Sequence, residues 1–242
     1  MGKTAGIVLI GNEILSGKIT DANAGYLCME LRALGVDVRR IVAIPDDVDL
    51  IAAEVLAASR AYDLVFTSGG VGPTHDDVTI QGIAAGMEVP VVRHPYLADL
   101  LDQFYKGEFN DARRKMAEVP EGSQLLAAGS LRFPVIVFRN VYIFPGVPEI
   151  FRQKFDAIKE RFREQPFFLK SVFVRIGEGT LADFMNDLLK AYPLLLLGSY
   201  PEFSNPSYKV KVTLESKDRD YLDQALSEFL AKLPPDAVVK VQ

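Results

Sequence analysis

Short apolar runs and helical apolar stripes alternate along the first two-thirds of the chain. Residues 6–10, 36–44 and 63–67 are short segments rich in Val, Ile, Leu and Phe, which predicts buried strands. Residues 20–34 and 47–61 carry apolar side chains three and four positions apart, which predicts a helix after each of the first two strands. This alternation predicts an α/β domain in which helices cover a largely parallel sheet.

Further elements of both kinds follow a glycine-rich loop. Their apolar patterns predict helices at 78–85, 96–105, 110–119 and 149–162 and strands at 124–127, 135–138 and 141–144. Only Arg139 and Asn140 separate the last two strands, which predicts a tight hairpin. The strongly amphipathic helix at 149–162 is expected to close this domain.

A different order of elements begins after residue 166. The patterns predict strands at 171–176, 194–200, 208–215 and 237–241 and helices at 180–191 and 218–232. This β-α-β-β-α-β order is typical of a small ferredoxin-like α+β domain. The sequence therefore predicts two domains, an α/β domain over residues 1–166 and an α+β appendage over residues 167–242.

Composition and charge narrow the classes of partner. The chain has 242 residues, a formal net charge of −5 and a pI near 5.2, so nucleic-acid binding is not expected. Its apolar runs are far shorter than the roughly 20 residues of a membrane-spanning helix, so no membrane partner is expected. The first residues lead directly into a strand without a signal-peptide pattern, which predicts a cytoplasmic protein.

The glycine-rich loop at residues 68–79, SGGVGPTHDDVT, follows a buried strand and precedes a helix. Gly69, Gly70 and Gly72 allow backbone N–H groups to approach a ligand, and a helix N-terminus favours anions. Ligands of open α/β sheets bind outside the carboxyl ends of the strands. The loop therefore predicts a phosphate site. The alternative is a plain strand-to-helix turn with an acidic N-cap.

Acidic residues follow three strands that are predicted to end at one edge of the sheet. Glu13 follows the first strand, Asp46 follows the second, and Asp77 lies in the glycine-rich loop. Carboxylates alone would repel a phosphate, whereas a divalent cation that bridges carboxylate and phosphate removes the conflict. Each acid taken singly is equally consistent with a helix cap or a solvated loop residue. Their recurrence at one edge predicts a metal site.

Polar residues near these loops complete the candidate site. Gly11 and Asn12 lie in the first loop, and Lys18 beyond it is suited to neutralise a phosphate. Asn23 is suited to hydrogen-bond a ligand from the first turn of its helix. Gly146 allows a ligand to approach the loop FPGVPE, which two prolines stiffen.

Four motifs in this order resemble one family: IGNEILSGKITDANAGYL, IPDD, TSGGVGPTHDDVT and FPGVPE. They are similar to motifs of the molybdopterin-binding-like domain of CinA proteins and FAD synthases, which is related to the molybdopterin adenylyltransferases. The segments FPVIVFRNVYIFPGVPE, GSYPEF and YKVKVTLES resemble eukaryotic FAD synthases more than CinA proteins. The resemblance covers nearly the whole chain.

The resemblance implies a three-layer MogA-like domain with an α+β appendage, a homodimer, and metal-dependent hydrolysis of dinucleotide pyrophosphates such as FAD or ADP-ribose. Asp46 and Asp77 match the acids of the family site, and Glu13 matches the acid of its first loop. The family's phosphate loop corresponds to Gly69, Gly70, Gly72 and Thr74. The GTAPG-like segment of CinA proteins is replaced at residues 128–133. The resemblance does not extend to the deamidase or FAD-synthesising domains, so neither activity is predicted.

The leading prediction is a pyrophosphatase that releases AMP and a phosphorylated product from a nucleoside diphosphate-linked compound. Asp77 and Asp46 are the predicted catalytic residues, and with Glu13 they are predicted to hold Mg²⁺, Mn²⁺, Co²⁺ or Ni²⁺. The predicted substrate-binding residues are Gly11, Asn12, Lys18, Asn23, Ser68, Gly69, Gly70, Gly72, Thr74 and Gly146. Two alternatives stay open: a pterin-binding adenylyl-transfer protein of molybdenum cofactor biosynthesis, and a non-catalytic nucleotide-binding module.

Overall fold

Two compact units, divided between Glu164 and Gln165, make up the protein. The computed structural model describes residues 2–106, 110–127, 129, 131–234 and 236–242, so Ala128 and Ser130 of the replaced segment lie outside the described residues. The strands of the first unit are β1 (Thr4–Ile10), β2 (Asp37–Ile44), β3 (Leu64–Ser68), β4 (Val91–Arg93), β5 (Glu118–Pro120), β6 (Gln124–Leu126), β7 (Val135–Phe138) and β8 (Val141–Phe144). Its helices are α1 (Asn12–Leu15), α2 (Asn23–Ala33), α3 (Val48–Ala61), α4 (Thr79–Gly86), α5 (Pro95–Tyr105), α6 (Asp111–Lys115) and α7 (Pro148–Ile158).

The main sheet of the first unit has the strand order β2-β1-β3-β8-β7-β6. The strands β2, β1, β3 and β8 are parallel, whereas β7 and β6 are antiparallel to their neighbours. Ile10 pairs with Ile44, and Ser68 pairs with both Leu9 and Phe144. The four parallel strands therefore end together, and the loops that follow them share one edge.

Helices cover both faces of this sheet. Leu27 of α2 and Phe151 of α7 pack in one buried cluster, whereas Ile51 of α3 and Ile83 of α4 pack in the other. Successive residues of β1 alternate between the two clusters, and most of that strand is buried, as expected for a central strand of a parallel sheet. This three-layer arrangement confirms the predicted α/β fold.

The predicted helix at 110–119 is wrong in its second half. The helix α6 ends at Lys115, and β5 then pairs antiparallel with β4 in a separate two-stranded sheet. Ala117 and Val119 alternate as buried residues and pack against Leu97 and Leu101 of α5. This two-residue period and the proline at the end of the segment favour a strand, and the sequence pattern was too short to distinguish it from a helix.

The second unit has one antiparallel sheet of strand order β10-β11-β9-β12. Its elements are β9 (Phe168–Val174), α8 (Glu178–Ala191), β10 (Leu196–Pro201), β11 (Val210–Ser216), α9 (Arg219–Lys232) and β12 (Val238–Val241). Val172 and Val212 of the sheet pack with Leu188 of α8 and Phe229 of α9 in a separate core. The predicted β-α-β-β-α-β order is confirmed. In the described ranges, no helix of either unit combines the length and apolar character of a transmembrane segment.

A largely buried lysine on α7 makes the stability of the first unit depend on pH. Burial lowers the pKa of Lys154 to about 8, and its Nζ donates to the Pro134 carbonyl at 2.5 Å. Between pH 8 and about 10.5 the unfolded chain binds more protons at this residue than the folded chain, so the free energy of unfolding rises with pH over that range. The linkage contribution is on the order of 3 kcal/mol.

We therefore expect Lys154→Met to abolish this rise. Chemical denaturation at steps between pH 7 and 11 gives the free energy of unfolding of wild type and of Lys154→Met. Groups that titrate alike in the two proteins cancel in the difference between these free energies. The free energy of unfolding of Lys154→Met should exceed that of wild type most at pH 7, and the excess should shrink toward pH 11. The exposed Lys18→Met makes the same charge change and controls for the loss of one positive charge. A flat difference for Lys154→Met would show that the lysine is protonated in the folded protein throughout.

Candidate functional site

A cavity of about 390 Å³ lies where the parallel strands end. Its walls come from the loops after β1, β3 and β8 and from the starts of α2 and α7. The volume is within the range of small-molecule sites, and the position follows the rule for open α/β sheets. Apolar side chains form a large part of the wall, namely Ile10, Ile14, Ile19, Val71 and Val147.

The glycine-rich loop forms one side of the cavity. Gly69 and Gly70 adopt positive φ angles of 106° and 65°, and the Gly69 N–H donates to the Phe144 carbonyl at 3.1 Å. The buried Thr79 at the start of α4 fixes both glycines. Its hydroxyl donates to the Gly69 carbonyl at 2.9 Å, and its N–H donates to the Gly70 carbonyl at 3.0 Å. The loop is therefore held between the end of β3 and the start of α4.

Asn23 joins two walls of the cavity. The residue is 2% exposed, and its Nδ2 donates to Ser68 Oγ and to the Gly146 carbonyl, both at 2.9 Å. These bonds connect the start of α2 with the ends of β3 and β8. Within the described part of the chain, the Asn23 Oδ1 atom is buried without a hydrogen-bond partner. A buried acceptor without a hydrogen-bond partner costs free energy of folding.

The helix α2 begins three residues later than the sequence pattern indicates. Asp21 accepts hydrogen bonds from the N–H groups of Asn23 and Ala24, at 3.1 and 2.9 Å. These bonds satisfy N–H groups of the first turn, so the loop stays non-helical through Ala22 and leaves Asn23 in the cavity wall.

Asp77 lies in the cavity wall close to Gly72. One of its carboxylate oxygens, Oδ2, accepts hydrogen bonds from the Thr74 N–H, at 2.8 Å, and from the Thr74 hydroxyl. Thr74 is exposed and lies outside the cavity lining. The Thr74 hydroxyl is therefore bonded to Asp77 in this structure, and its predicted contact with the substrate stays a prediction.

Asp46 and the first loop also make hydrogen bonds that the sequence did not predict. The Asp46 Oδ2 atom accepts a hydrogen bond from the Asn12 N–H at 2.8 Å, and the Gly11 N–H donates to the Ile44 carbonyl at 3.1 Å. These bonds occupy the N–H groups of Gly11 and Asn12, two residues that were predicted to bind the substrate. Gly11, Asn12 and Asp46 lie outside the cavity lining, as does the exposed Lys18.

The three predicted metal ligands do not form one cluster. Glu13 and Asp77 line the cavity, whereas the carboxylate of Asp46 is bonded to the Asn12 N–H. In the part of the chain that the structure describes, no three His, Cys, Asp or Glu side chains are grouped as a metal site. Two carboxylates fit a cation that completes its coordination with water and substrate phosphates, which is the usual mode of Mg²⁺. Of the three predicted ligands, Glu13 and Asp77 are the two that line the cavity.

Sequence analysis missed a basic residue at the glycine-rich loop. Lys115, the last residue of α6, donates from Nζ to the Thr74 carbonyl at 3.0 Å. The sequence places this lysine in the basic run at residues 113–115, which is also what an ordinary helix C-terminus carries. No local signal linked it to a loop about 40 residues away.

The fold and the cavity together define a class, an α/β domain with a cavity at the carboxyl edge of its sheet, which is where the ligands of open α/β sheets bind. A family model described as "Probable molybdopterin binding domain" matches residues 6–164, and a model described as "FAD synthase, middle domain" matches residues 166–242. The chain belongs to the molybdopterin-binding-domain family, and its second unit is of the FAD synthase middle-domain type.

Several relatives match nearly the whole of this chain. A protein from Archaeoglobus fulgidus is 37% identical over 92% of this chain and 95% of its own length. A "Probable FAD synthase" from Caenorhabditis elegans is 34% identical over 95% of this chain, which spans 50% of that protein. A "CinA-like protein" from Thermotoga maritima is 28% identical over 95% of this chain, which spans 58% of that protein.

A solved structure supports the fold of the first unit. The protein CinA from Thermoplasma acidophilum is 30% identical, with a TM-score of 0.62 over 67% of this chain and 100% of that chain. The family that sequence analysis indicated is therefore confirmed, with both CinA-like and FAD synthase-like relatives.

Proposed function

We propose that the first unit is a divalent-metal-dependent pyrophosphatase. Its substrate is a dinucleotide or nucleoside diphosphate-linked compound of the FAD or ADP-ribose type. Water adds to one phosphorus, the bridging P–O bond breaks, and the products are AMP and a second phosphate monoester. The observation that carries the proposal is the presence of the glycine-rich loop and two carboxylates, Glu13 and Asp77, in the wall of one cavity.

The chain's own groups divide the work. The backbone at Gly69–Gly72 binds the diphosphate, and the N-terminus of α4 favours its negative charge. Glu13 and Asp77 would hold the cation, which would supply charge neutralisation and favour the deprotonation of water. Asp46 is a positioning residue, because its hydrogen bond to the Asn12 N–H fixes the loop that carries Glu13. The apolar wall packs against the ring of the nucleoside.

The relatives support a nucleotide ligand. Relatives called FAD synthases share both units, and a molybdopterin is itself a ring compound that carries a phosphate. The proposal takes the same combination, a ring against the apolar wall and phosphate at the glycine-rich loop, for a substrate with two linked phosphates.

Hydrolysis of FAD and ADP-ribose by the purified protein tests the proposal. Reactions contain Mg²⁺, Mn²⁺, Co²⁺ or Ni²⁺, or EDTA, and AMP is measured by chromatography. We expect AMP release with at least one cation and none with EDTA. AMP release that persists in EDTA contradicts the metal role.

Two other outcomes point to the alternatives. Transfer of AMP from ATP to molybdopterin without hydrolysis of either dinucleotide would identify an adenylyl-transfer protein. Binding of nucleotide without turnover in any cation would identify a non-catalytic module. In both cases the pyrophosphatase proposal fails although the cavity is occupied.

A further inference from the structure

The candidate site carries negative charge on both the protein and the proposed ligand. Glu13 and Asp77 line the cavity, and Asp76 immediately precedes Asp77 in the loop. A substrate diphosphate adds further negative charge. A cation held by two carboxylates offsets only part of this, so a basic side chain at the loop would contribute directly to binding.

Lys115 is a basic side chain that the structure brings to the loop. It is bonded to Thr74, between the lining residues Gly72 and Asp77, and is not itself part of the cavity lining. It is half-buried, and its Nζ lies 3.0 Å from the Thr74 carbonyl, in the segment between Gly72 and Asp77. Lys115 is therefore close enough to act electrostatically on this loop.

The strand that follows Lys115 is held in place by α5 and by α4. Lys115 precedes β5, whose residue Val119 is buried against α5. Gln81 Nε2 of α4 donates to Glu118 Oε2 of β5 at 3.3 Å. The helix that begins at the glycine-rich loop thus holds the strand that follows Lys115, so the lysine and the loop keep their spacing.

The remaining donors of Lys115 are suited to a phosphate. An ammonium group has three N–H donors, and the Thr74 carbonyl takes one of them. Among the described residues the structure gives Lys115 no second hydrogen-bond partner. Its half-buried position reduces the competition from water, which strengthens a charge-assisted hydrogen bond.

We propose that Lys115 is a substrate-binding residue that contacts the diphosphate at the glycine-rich loop, a role that sequence analysis gave to Lys18. The inference rests on the proposed function for the class of ligand, a nucleoside diphosphate. It does not depend on whether the ligand is hydrolysed.

Binding of ADP and of inorganic pyrophosphate, measured with Mg²⁺ and again with EDTA, tests the role of Lys115. Neither ligand is a dinucleotide or nucleoside diphosphate-linked substrate of the proposed type, so the test is separate from catalysis. Dissociation constants are measured by isothermal titration calorimetry for wild type, Lys115→Gln, Lys115→Arg and Lys18→Gln. We expect Lys115→Gln to weaken both ligands about 10- to 100-fold, which is typical of a lost charge-assisted hydrogen bond. Lys115→Arg keeps the charge and should retain part of the affinity. Lys18→Gln should bind within about threefold of wild type.

The salt dependence separates contact from a structural role. Between 50 and 300 mM salt, affinity should fall more steeply for wild type than for Lys115→Gln, because the variant lacks one charge at the ligand. A loss of affinity through loop disorder would leave the salt dependence unchanged and would overturn the proposal. It is also overturned if Lys115→Gln binds like wild type, if Lys18→Gln alone loses affinity, or if wild type binds neither ligand. Absence of AMP release with normal ADP binding would instead refute the proposed function alone.

Discussion

Replacing Asp77 with asparagine is expected to lower kcat/KM for metal-dependent hydrolysis on the order of 10³-fold, which is about 4 kcal/mol of transition-state stabilisation. Asparagine keeps an oxygen that accepts the hydrogen bonds from Thr74, so the loop conformation is retained. The negative charge is lost, and with it the attraction for the cation. The effect is therefore expected on cation affinity and turnover, with little change in the free energy of unfolding.

A neighbouring acid provides the matched control for Asp77. The side chain of Asp76 is 54% exposed, and Asp76→Asn makes the same change of charge one residue away. We expect this variant to hydrolyse substrate within about threefold of wild type, because exposed charges are well screened. Titration of activity with Mn²⁺ for both variants gives the comparison. Equal losses in the two variants would mean that the net charge of the loop matters and that Asp77 holds no cation.

The strands and helices that position the cavity are encoded locally in the sequence. β1 and β3 are largely apolar, buried segments. Asp47 caps α3 by accepting a hydrogen bond from the Leu50 N–H at 2.9 Å. Such signals depend on residues within one turn or one strand. They were sufficient to predict that the loops after β1, β2 and β3 share one edge of the sheet.

The roles of individual polar residues were not encoded locally. Asp46 and Asp77 are similar as sequence features, both being loop acids after a strand. One is bonded to the Asn12 N–H from a neighbouring loop, and the other lies in the cavity wall. The contact of Asp46 is with Asn12, which is 34 residues away in the sequence. The periodic pattern of apolar residues does not indicate such a long-range hydrogen bond.

Lys115 and Lys18 illustrate the same limit. Lys18 is close in sequence to the first loop but exposed, whereas Lys115 reaches the glycine-rich loop because β4 and β5 fold α6 back toward it. A continuous helix over 110–119 has no turn after Lys115. The helix prediction therefore did not bring this lysine to the glycine-rich loop. An error of one short strand was enough to displace a candidate ligand-binding residue.

Replacing Gly69 with alanine is expected to destabilise the first unit by about 3 kcal/mol and to abolish nucleotide binding. The φ angle of 106° lies outside the range that alanine adopts readily, and an added Cβ atom would lie 2.1 Å from the Ile10 carbonyl oxygen. That oxygen belongs to the backbone of the central strand β1, so it cannot move aside as a flexible side chain would. The loop must shift instead, and the Gly69 N–H would lose its bond to the Phe144 carbonyl.

Gly25→Ala is the matched control for the substitution at Gly69. Gly25 is exposed on α2, with no atom within 4 Å of an added Cβ, so alanine should stabilise the protein by about 0.5–1 kcal/mol through its higher helix propensity. Urea denaturation followed by far-ultraviolet circular dichroism measures both changes, and calorimetric titration with ADP measures binding. The two variants should therefore move stability in opposite directions. If Gly69→Ala unfolds at the wild-type urea concentration and still binds ADP, the loop can accept a side chain, and the close approach of β3 to β1 is not what shapes the phosphate site.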